Sequence, residues 1–177
     1  MTLVTSLDTA NLAFSKGRFA VSICSFLRPA NTTAYTGGDI VSDAATGAAL
    51  QFPSAGRSGA IVGATLGVAD TDTLTPRLWI FDTEPTNIAD NAAFALVAAD
   101  MPKIVCYLDF VDADKILVGT LLNHYTASAA LGDNSMSMGP IPYASTSGKL
   151  YGLLQVMAGY TPLSASRHTV RLHLDRA

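Results

Sequence analysis

Side chains that could bind a metal through oxygen cluster in one stretch, RLWIFDTEPTNIADN (Arg77 to Asn91). The groups concerned are Asp82, Glu84, Asp90 and Asn91. Carboxylate and amide oxygens suit calcium, but this spacing does not match the 12-residue loop with a closing Glu. Asp and Asn also cap turns and helix starts. We therefore expect no metal site, and a long loop that is fixed by its own polar side chains.

Histidines and arginines alternate with apolar residues in SRHTVRLHLD (Ser166 to Asp175). On a strand, His168 and His173 are five residues apart and point to opposite faces, so they cannot share a metal without a bulge. The pattern predicts a strand with two different faces. The polar face is formed by Arg167, Thr169, Arg171 and His173. The opposite face is formed by His168, Val170, Leu172 and Leu174. One interpretation is a sandwich strand with one polar side. The other is that Arg167 and Arg171 bind carboxylates of a neighbouring protein, since Arg is favoured at interfaces.

Nucleophile and phosphate motifs are incomplete. A GxSxG nucleophile elbow requires a glycine two positions after its serine. In GRSGA (Gly56 to Ala60) the glycine comes one position after Ser58, so the motif does not match. GAIVGATLG lacks the Lys-Ser/Thr pair of a phosphate loop. Cys24 and Cys106 belong to no CxxC pair and are expected to be free thiols on strands, although a disulfide between them stays open. We therefore expect no enzyme and no cofactor.

Composition favours assembly with other proteins. The chain has 177 residues, 49% of them hydrophobic and only 14% charged, with a net charge of −3. Such a length predicts one domain, 1–177, and so few charges imply a surface that is neutral or covered by protein. The sequence shows no basic run for nucleic acid and no apolar stretch that could span a membrane, and we expect no secretory signal. Neither nucleic acid nor a membrane is an expected partner.

Alternation with a period of two predicts strands along most of the chain. Phe19, Val21, Ile23 and Leu27 share one face of RFAVSICSFLR, which predicts a half-buried strand. Six more strands are predicted in GAIVGATLGVA, PRLWIFD, KIVCYLDF, KILVGTLLN, KLYGLLQVMAG and SRHTVRLHLD. Clusters of Gly, Pro and Asp divide them. The fold class is therefore all-β: an antiparallel, jelly-roll-like β-sandwich with one or two short helices.

Two segments are less regular. Residues 1–17 have no strand partner in this scheme and form a possible N-terminal arm, with a turn or two of helix near Ser6 to Phe14. The Ala-rich segment Thr86 to Met101 favours a helix by composition, while Phe94 and Leu96 alternate as in a strand. Both alternatives stay open for that segment.

A family resemblance rests on LWIFD, EPTNIADNAAFAL and AADMPKIVCYLDF, with AYTGGDIVSD and SGAIVGATLGVAD before them. This series resembles virion proteins of tailed bacteriophages that decorate or cement the capsid. It extends over Arg18 to Asp175 in layout and is specific mainly over Trp79 to Phe110. The resemblance implies a jelly-roll-like, non-enzymatic protein that binds the outside of a shell of major capsid protein, as a homotrimer. It would be made in the host cytoplasm and reside at the capsid surface.

We accordingly predict a contact surface for a sister subunit or the shell. The candidate interface residues are Trp79, Asp82, Glu84, Pro85, Asp90, Asn91, Arg167 and Arg171. The alternative function is a carbohydrate-binding or host-adhesion module of a virion. That function would require exposed aromatic side chains, with Trp79, Tyr125, Tyr143 or Tyr151 stacking on sugar rings.

Overall fold

The computed structural model describes residues 19–43, 47–70, 74–111, 115–119, 122–128 and 140–176. The predicted arm, residues 1–17, lies outside the described residues, as does the helical turn near Ser6 to Phe14. The strands are β1 (Phe19–Leu27), β2 (Ile40–Val41), β3 (Leu50–Phe52), β4 (Ser58–Val68), β5 (Pro76–Phe81), β6 (Ile104–Asp109), β7 (Lys115–Gly119), β8 (Leu122–Ser128), β9 (Ile141–Ala144), β10 (Leu150–Val156) and β11 (Arg167–Arg176). One 3₁₀ helix spans Ala98–Lys103.

The strands form two antiparallel sheets. Sheet one has the order β1-β11-β4-β8-β7, with β9 beside the first half of β4. Sheet two has the order β2-β10-β5-β6, with β3 also on β10. The chain crosses from one sheet to the other after each main strand or hairpin. With β2 and β3 counted as one strand, and β7 to β9 as another, the orders become 1-8-3-6 and 2-7-4-5, which is the arrangement of a jelly roll. The predicted fold class is confirmed.

All seven predicted strands coincide with strands of the structure, and KILVGTLLN is divided between β7 and β8. The short strands β3 and β9 were not predicted, and β2 was indicated only by the family resemblance, as an entry strand within AYTGGDIVSD. Two to four residues are too few to establish a period. The core between the sheets is filled by large apolar side chains, among them Phe52, Leu66, Leu78, Leu108 and Tyr125, each at most 1% exposed.

The prediction for β1 is wrong in one respect. Phe19, Val21, Ile23 and Leu27 share a face, but that face is exposed, while Ser22 and Phe26 point into the core. Cys24 and Ala20 pack against the core from the same inner side. Alternation shows which residues share a face, and the small inner residues of β1 did not reveal which face is buried.

A β-bulge changes the face of β4. Opposite β11, the register shifts between His173 and Leu174, which pair with Gly63 and Ile61. Val62 is the extra residue, so Ile61 points inward before it and Ala64, Leu66 and Val68 point inward after it. In a regular strand, Val62 would share a face with Ala64, two residues further on. The bulge turns its side chain to the outer surface.

The strand β11 has the predicted division. His168, Val170, Leu172 and Leu174 are buried, while Arg167 is exposed and Thr169, Arg171 and His173 are half-buried. His168 is fully buried and stacks on Phe26 with ring centroids 5.2 Å apart. In the described ranges, no helix is long and apolar enough to cross a membrane.

Candidate protein-binding surface

The outer face of sheet one carries an apolar row along β1. The exposed fractions are 64% for Phe19, 51% for Val21, 49% for Ile23 and 43% for Leu27. Single exposed apolar residues are ordinary, but several adjacent ones on one strand form a contiguous patch of the kind that marks interaction sites. Because β1 is also the end strand of its sheet, this row lies along an edge.

Polar side chains of β11 lie next to this row. The register pairs Val21 with His173, Ile23 with Arg171 and Leu27 with Arg167. The hydroxyls of Ser25 and Thr169 are 2.9 Å apart, and Arg167 donates to the Ser25 hydroxyl at 3.5 Å. Val21, Ile23 and Leu27 therefore each lie beside a histidine or an arginine of β11, as in an interface that combines apolar anchors with arginine.

Two hollows flank His173 on the same face. The first, of about 210 Å³, is lined by Phe19, Ala20, Val21, Val62, His173 and Leu174. The second, of about 550 Å³, is lined by residues 62–65 of β4, by Thr126 and Ala127 of β8 and by His173. Small side chains in the middle of β4 leave this space. The outer face is thus uneven, with a raised edge along β1 and a depression next to it.

The outer face of sheet two is covered by the chain itself. Ile88, Phe94 and Leu96, from the segment between β5 and the 3₁₀ helix, pack on Ile40, Phe81, Tyr151 and Leu153 in a second hydrophobic cluster. This segment is neither helix nor strand up to Val97, although Ala93 forms one bridge with Asp39. The two sheets therefore differ, since no described segment covers sheet one in the same way.

Asp90 anchors this covering segment to the sandwich. The Arg28 Nε donates to the Tyr35 hydroxyl, which donates to Asp90 Oδ1, both at 2.6 Å. The Ser42 N–H also donates to Asp90 Oδ1, at 3.0 Å, and the Arg28 guanidinium is 3.7 Å from Asp90 Oδ2. Burial, followed by the Asp90 carboxylate, raises the pKa of Tyr35, which keeps its hydroxyl protonated and able to donate. Sequence reasoning did not identify Arg28, because an arginine at a strand end is ordinarily a solvated residue.

The neighbouring asparagine holds the same segment through its backbone. Asn91 has φ 59°, donates its N–H to the Ile40 carbonyl at 2.8 Å and donates its Nδ2 to the Ala34 carbonyl at 3.3 Å. Asn is one of the few residues that adopts this left-handed conformation readily. Asp90 and Asn91 therefore act here as structural anchors of the loop.

The other end of the loop is held near the 3₁₀ helix. Asp100 is fully buried and accepts hydrogen bonds from Lys103 Nζ at 2.9 Å and from the Thr86 N–H at 3.1 Å. Burial opposes ionisation of Asp100, but these hydrogen bonds outweigh it and hold its pKa below the usual range. Lys103 also donates to the Glu84 carbonyl at 2.9 Å. Pro85 is buried, Asp82 is half-buried and Glu84 is exposed.

Gly47 lies where this covering segment approaches the sandwich, and it supplies a first prediction. It has φ +62°, and a Cβ there would overlap the backbone carbonyl of Ile88. We expect Gly47→Ala to lower the free energy of unfolding by about 2 kcal/mol and to loosen the segment. Gly148→Ala is the control, since Gly148 has a similar φ of +71° and a Cβ there would have its nearest contact at 4.0 Å, so this variant carries only the backbone strain.

The measurement is urea unfolding, with the emission of Trp79 as a local reporter because its ring stacks on Phe94 of the segment. Equal losses of stability in the two glycine variants would contradict the close approach of Gly47 to Ile88.

Trp79 lies within an aromatic and cationic stack on sheet two. Its ring is 5.0 Å from Phe94 and 5.3 Å from Tyr107, and its Nε1 donates to Gln155 Oε1 at 2.9 Å. The guanidinium of Arg77 lies 4.0 Å from the centroid of Tyr107 and forms two hydrogen bonds to Asp109, at 2.6 and 2.9 Å. Arg77 and Trp79 thus stabilise the outer surface of sheet two.

The aromatic platform expected for sugar binding is not formed by the predicted residues. Tyr125, Tyr143 and Tyr151 are buried, and Trp79 is half-buried between Phe94 and Tyr107. The Tyr125 hydroxyl accepts a hydrogen bond from the Leu74 N–H, and Tyr143 donates to the Ala55 carbonyl. That prediction is wrong because these rings fill the core or pack against their neighbours.

The cysteines are both free and both lie on strands, Cys24 on β1 and Cys106 on β6. Burial raises the pKa of Cys106 to about 12 and also raises the pKa of Cys24. Nowhere in the described ranges do three or more His, Cys, Asp or Glu side chains come together as a group able to hold a metal ion.

The predicted interface residues separate into two groups in the structure. Arg167 and Arg171 lie on the outer face of sheet one, next to the apolar row. Trp79, Asp82, Glu84, Pro85, Asp90 and Asn91 belong to sheet two and its covering segment. The apolar row of β1 was missed as a surface, since its pattern is the same as that of a core-facing strand.

Comparison with known proteins yields structural alignments only. No protein-family model matches the chain, and no curated protein matches it with significance. A chain in the capsid of Ralstonia phage GP4 aligns with 91% of this chain and 86% of its own length, at 16% identity and a TM-score of 0.44. A chain in the capsid asymmetric unit of cyanophage Pam1 aligns with 88% of this chain and 84% of its own, at 17% identity and a TM-score of 0.30. Values this low do not place the chain in a family.

Proposed function

We propose that the chain is a non-enzymatic virion structural protein that binds the outer surface of a phage capsid and stabilises it, as a homotrimer. The observation that carries this proposal is the apolar row of β1, formed by Phe19, Val21, Ile23 and Leu27, on a sheet face that no described segment covers. Exposing such a row in water is unfavourable, and covering it with another protein removes that cost.

The resemblance of the segment Trp79 to Phe110 to capsid decoration proteins gives the proposal its biological setting. A jelly roll has two broad, stiff faces, and a decoration protein needs area and shape complementarity rather than chemically activated groups. A trimer supports such binding because three linked contacts act together, so that modest individual affinities give firm attachment. The major capsid protein is the proposed partner, and the capsid surface is the proposed location.

The loop Asp82 to Asn91 is part of the proposal as a second contact surface, facing a sister subunit or the shell. Its inner side is occupied by buried Pro85 and Ile88, while Thr83, Glu84, Thr86 and Asn87 are exposed. Glu84→Lys is therefore a better probe of this surface than changes at Asp90 or Asn91, because those two anchor the loop.

The function predicts two results with the purified full chain. On size-exclusion chromatography with light scattering, we expect a mass of three chains that persists on dilution. Mixed with capsids assembled without this chain, the protein should bind to saturation, and the decorated capsids should release their contents at a higher temperature than bare ones. Failure to bind these capsids would contradict the function, and a stable monomer would contradict the trimer.

A further inference from the structure

The outer edge of β1 is open in the described chain. β1 pairs with β11 along its whole length, from Phe19 with Asp175 to Leu27 with Arg167. No strand in the described ranges pairs with its other edge. About half of the N–H and C=O groups of an end strand point away from its neighbour. β1 can therefore accept another extended segment by backbone hydrogen bonding, which is a common mode of peptide recognition.

Exposed end strands are normally protected by charge, proline or a bulge. β1 has none of these features, because its sequence FAVSICSFL contains no charged residue and no proline, and its register with β11 is regular. Its outward side chains are instead Phe19, Val21, Ile23, Ser25 and Leu27. A long, regular and apolar edge of this kind is suited to a partner strand.

The charges beside this edge define the chemistry of the partner. Arg167 and Arg171 point to the outer face of sheet one, and neither forms a salt bridge within the described chain. Asp175 lies at the far end of the same strand, beside Phe19. The half of the face next to Ile23 and Leu27 is therefore cationic, although the whole chain has a net charge of −3. A complementary partner carries carboxylates opposite these two arginines.

Shape and charge together argue against a second copy docked face to face. Such a contact is self-complementary, so it would bring the Arg167 and Arg171 side chains of two copies towards each other across a twofold axis. Like charges at an interface are costly, and along the described strands β1 and β11 no exposed carboxylate lies beside these two arginines to separate them. The hollow between Phe19, Val21 and Val62 also provides a place for an apolar side chain of a different surface.

We infer that the open edge of β1 and the outer face of sheet one bind an extended segment of the shell protein that carries apolar and carboxylate side chains. This inference rests on the proposed function and specifies which surface meets the shell. The segment adds to β1 as a further antiparallel or parallel strand. Its apolar side chains lie on Val21 and Ile23, and its carboxylates lie on Arg167 and Arg171.

The test compares four full-length proteins: wild type, Ile23→Lys, Arg171→Glu and Met101→Lys. Met101 is 61% exposed and lies in the 3₁₀ helix, away from sheet one, so Met101→Lys matches Ile23→Lys in chemistry but not in place. All three changes are at solvent-accessible positions, and thermal unfolding and light scattering show whether folding and oligomeric mass are kept. Binding is measured by co-sedimentation with capsids assembled without this chain.

We expect Ile23→Lys and Arg171→Glu each to weaken capsid binding by about tenfold or more, with unchanged oligomeric mass. Met101→Lys should bind as wild type does. Arg171→Glu should also reduce the salt dependence of binding, since it removes an attraction that salt screens. This last readout would not change if Arg171 only supported the fold.

Three outcomes would overturn the inference. Wild-type binding by Ile23→Lys would show that the shell contacts another surface, with the decoration function intact. A smaller oligomeric mass for Ile23→Lys would show that a sister subunit occupies the β1 edge. Absence of capsid binding by the wild-type chain would remove the proposed function and the inference together.

Discussion

Replacing Arg28 with Met is expected to lower the free energy of unfolding by about 3–5 kcal/mol, because it leaves the Asp90 carboxylate without its buried cation. The Arg28 side chain is fully buried, and that of Asp90 nearly so. The Tyr35 hydroxyl would lose the donor that orients it towards Asp90, and the stacking of the guanidinium on the Tyr35 ring, at 4.8 Å, would be lost as well. The measurement is urea unfolding at pH 7.

Two further variants make this prediction specific. Arg77→Met removes the more exposed ion pair with Asp109 and should cost only about 1 kcal/mol. Arg28→Met combined with Asp90→Asn removes both charges, and the double variant should be more stable than Arg28→Met alone by about 1 kcal/mol. A loss for Arg28→Met no greater than that for Arg77→Met would contradict the role of Arg28 in anchoring the covering segment.

The second large effect is a loss of stability on mild acidification. Burial lowers the pKa of His168 to about 4, the hydrogen bond to the Ser166 carbonyl opposes this shift, and the positive charge of Arg28 adds to it. An unfolded histidine titrates near 6.5, so between these values the unfolded chain binds more protons than the folded one. The stability contributed by the neutral, buried His168 is complete above about pH 6.5 and is lost as the pH falls towards 4. We expect roughly 3 kcal/mol to be lost over this interval.

His168→Phe provides the matched control. His168 stacks on Phe26, and its Nε2 has no hydrogen-bond partner in the described chain, so a phenyl ring can replace it without leaving a buried polar group. This variant should be about as stable as wild type at pH 7 and lose less stability between pH 6.5 and 4.5. Parallel curves for the two proteins would contradict the prediction. Asp100 also contributes stability through its lowered pKa. That contribution is lost in a more acidic range, below about pH 4.

The jelly roll was predictable because its long strands alternate. β4 and β11 show this alternation over most of their length, while β5, β6 and β10 are rich in β-branched, aromatic or other large apolar residues. Alternation does not say which face is inward, which is why β1 was assigned the wrong buried side. The inner residues Ser22 and Cys24 are small, and Ser22 donates to the carbonyl of Pro53, the residue after β3 of the opposite sheet, at 2.5 Å.

The covering segment was predictable in part. The alternation of Phe94 and Leu96 does place both side chains on the same side, against Trp79 and the second cluster. A strand does not result, because the chain there pairs with its neighbour only at Ala93. The anchoring role of Asp90 depends on Arg28 and Tyr35, which are distant in sequence, and no local pattern connects them.

The structure also changes which of the predicted interface residues we expect to contact a partner. Arg167 and Arg171 lie beside the exposed apolar row, where charge and apolar area can act together. Asp90 and Asn91 are bound to other parts of the same chain, so their polarity is explained by folding. Glu84 is the charged residue among the exposed positions of the loop, which also include Thr83, Thr86 and Asn87, so its side chain is available to a partner.

Hydrogen exchange of β1, in the free protein and on capsids assembled without this chain, tests the central claim most directly. In the free protein, the amides of Phe19 to Leu27 that point away from β11 should exchange rapidly, because no described strand pairs with them. On the capsid, a partner strand on that edge should slow their exchange by about tenfold or more, since hydrogen-bonded amides exchange only on opening. Bound protein with unchanged exchange in β1, and protection elsewhere, would contradict the account.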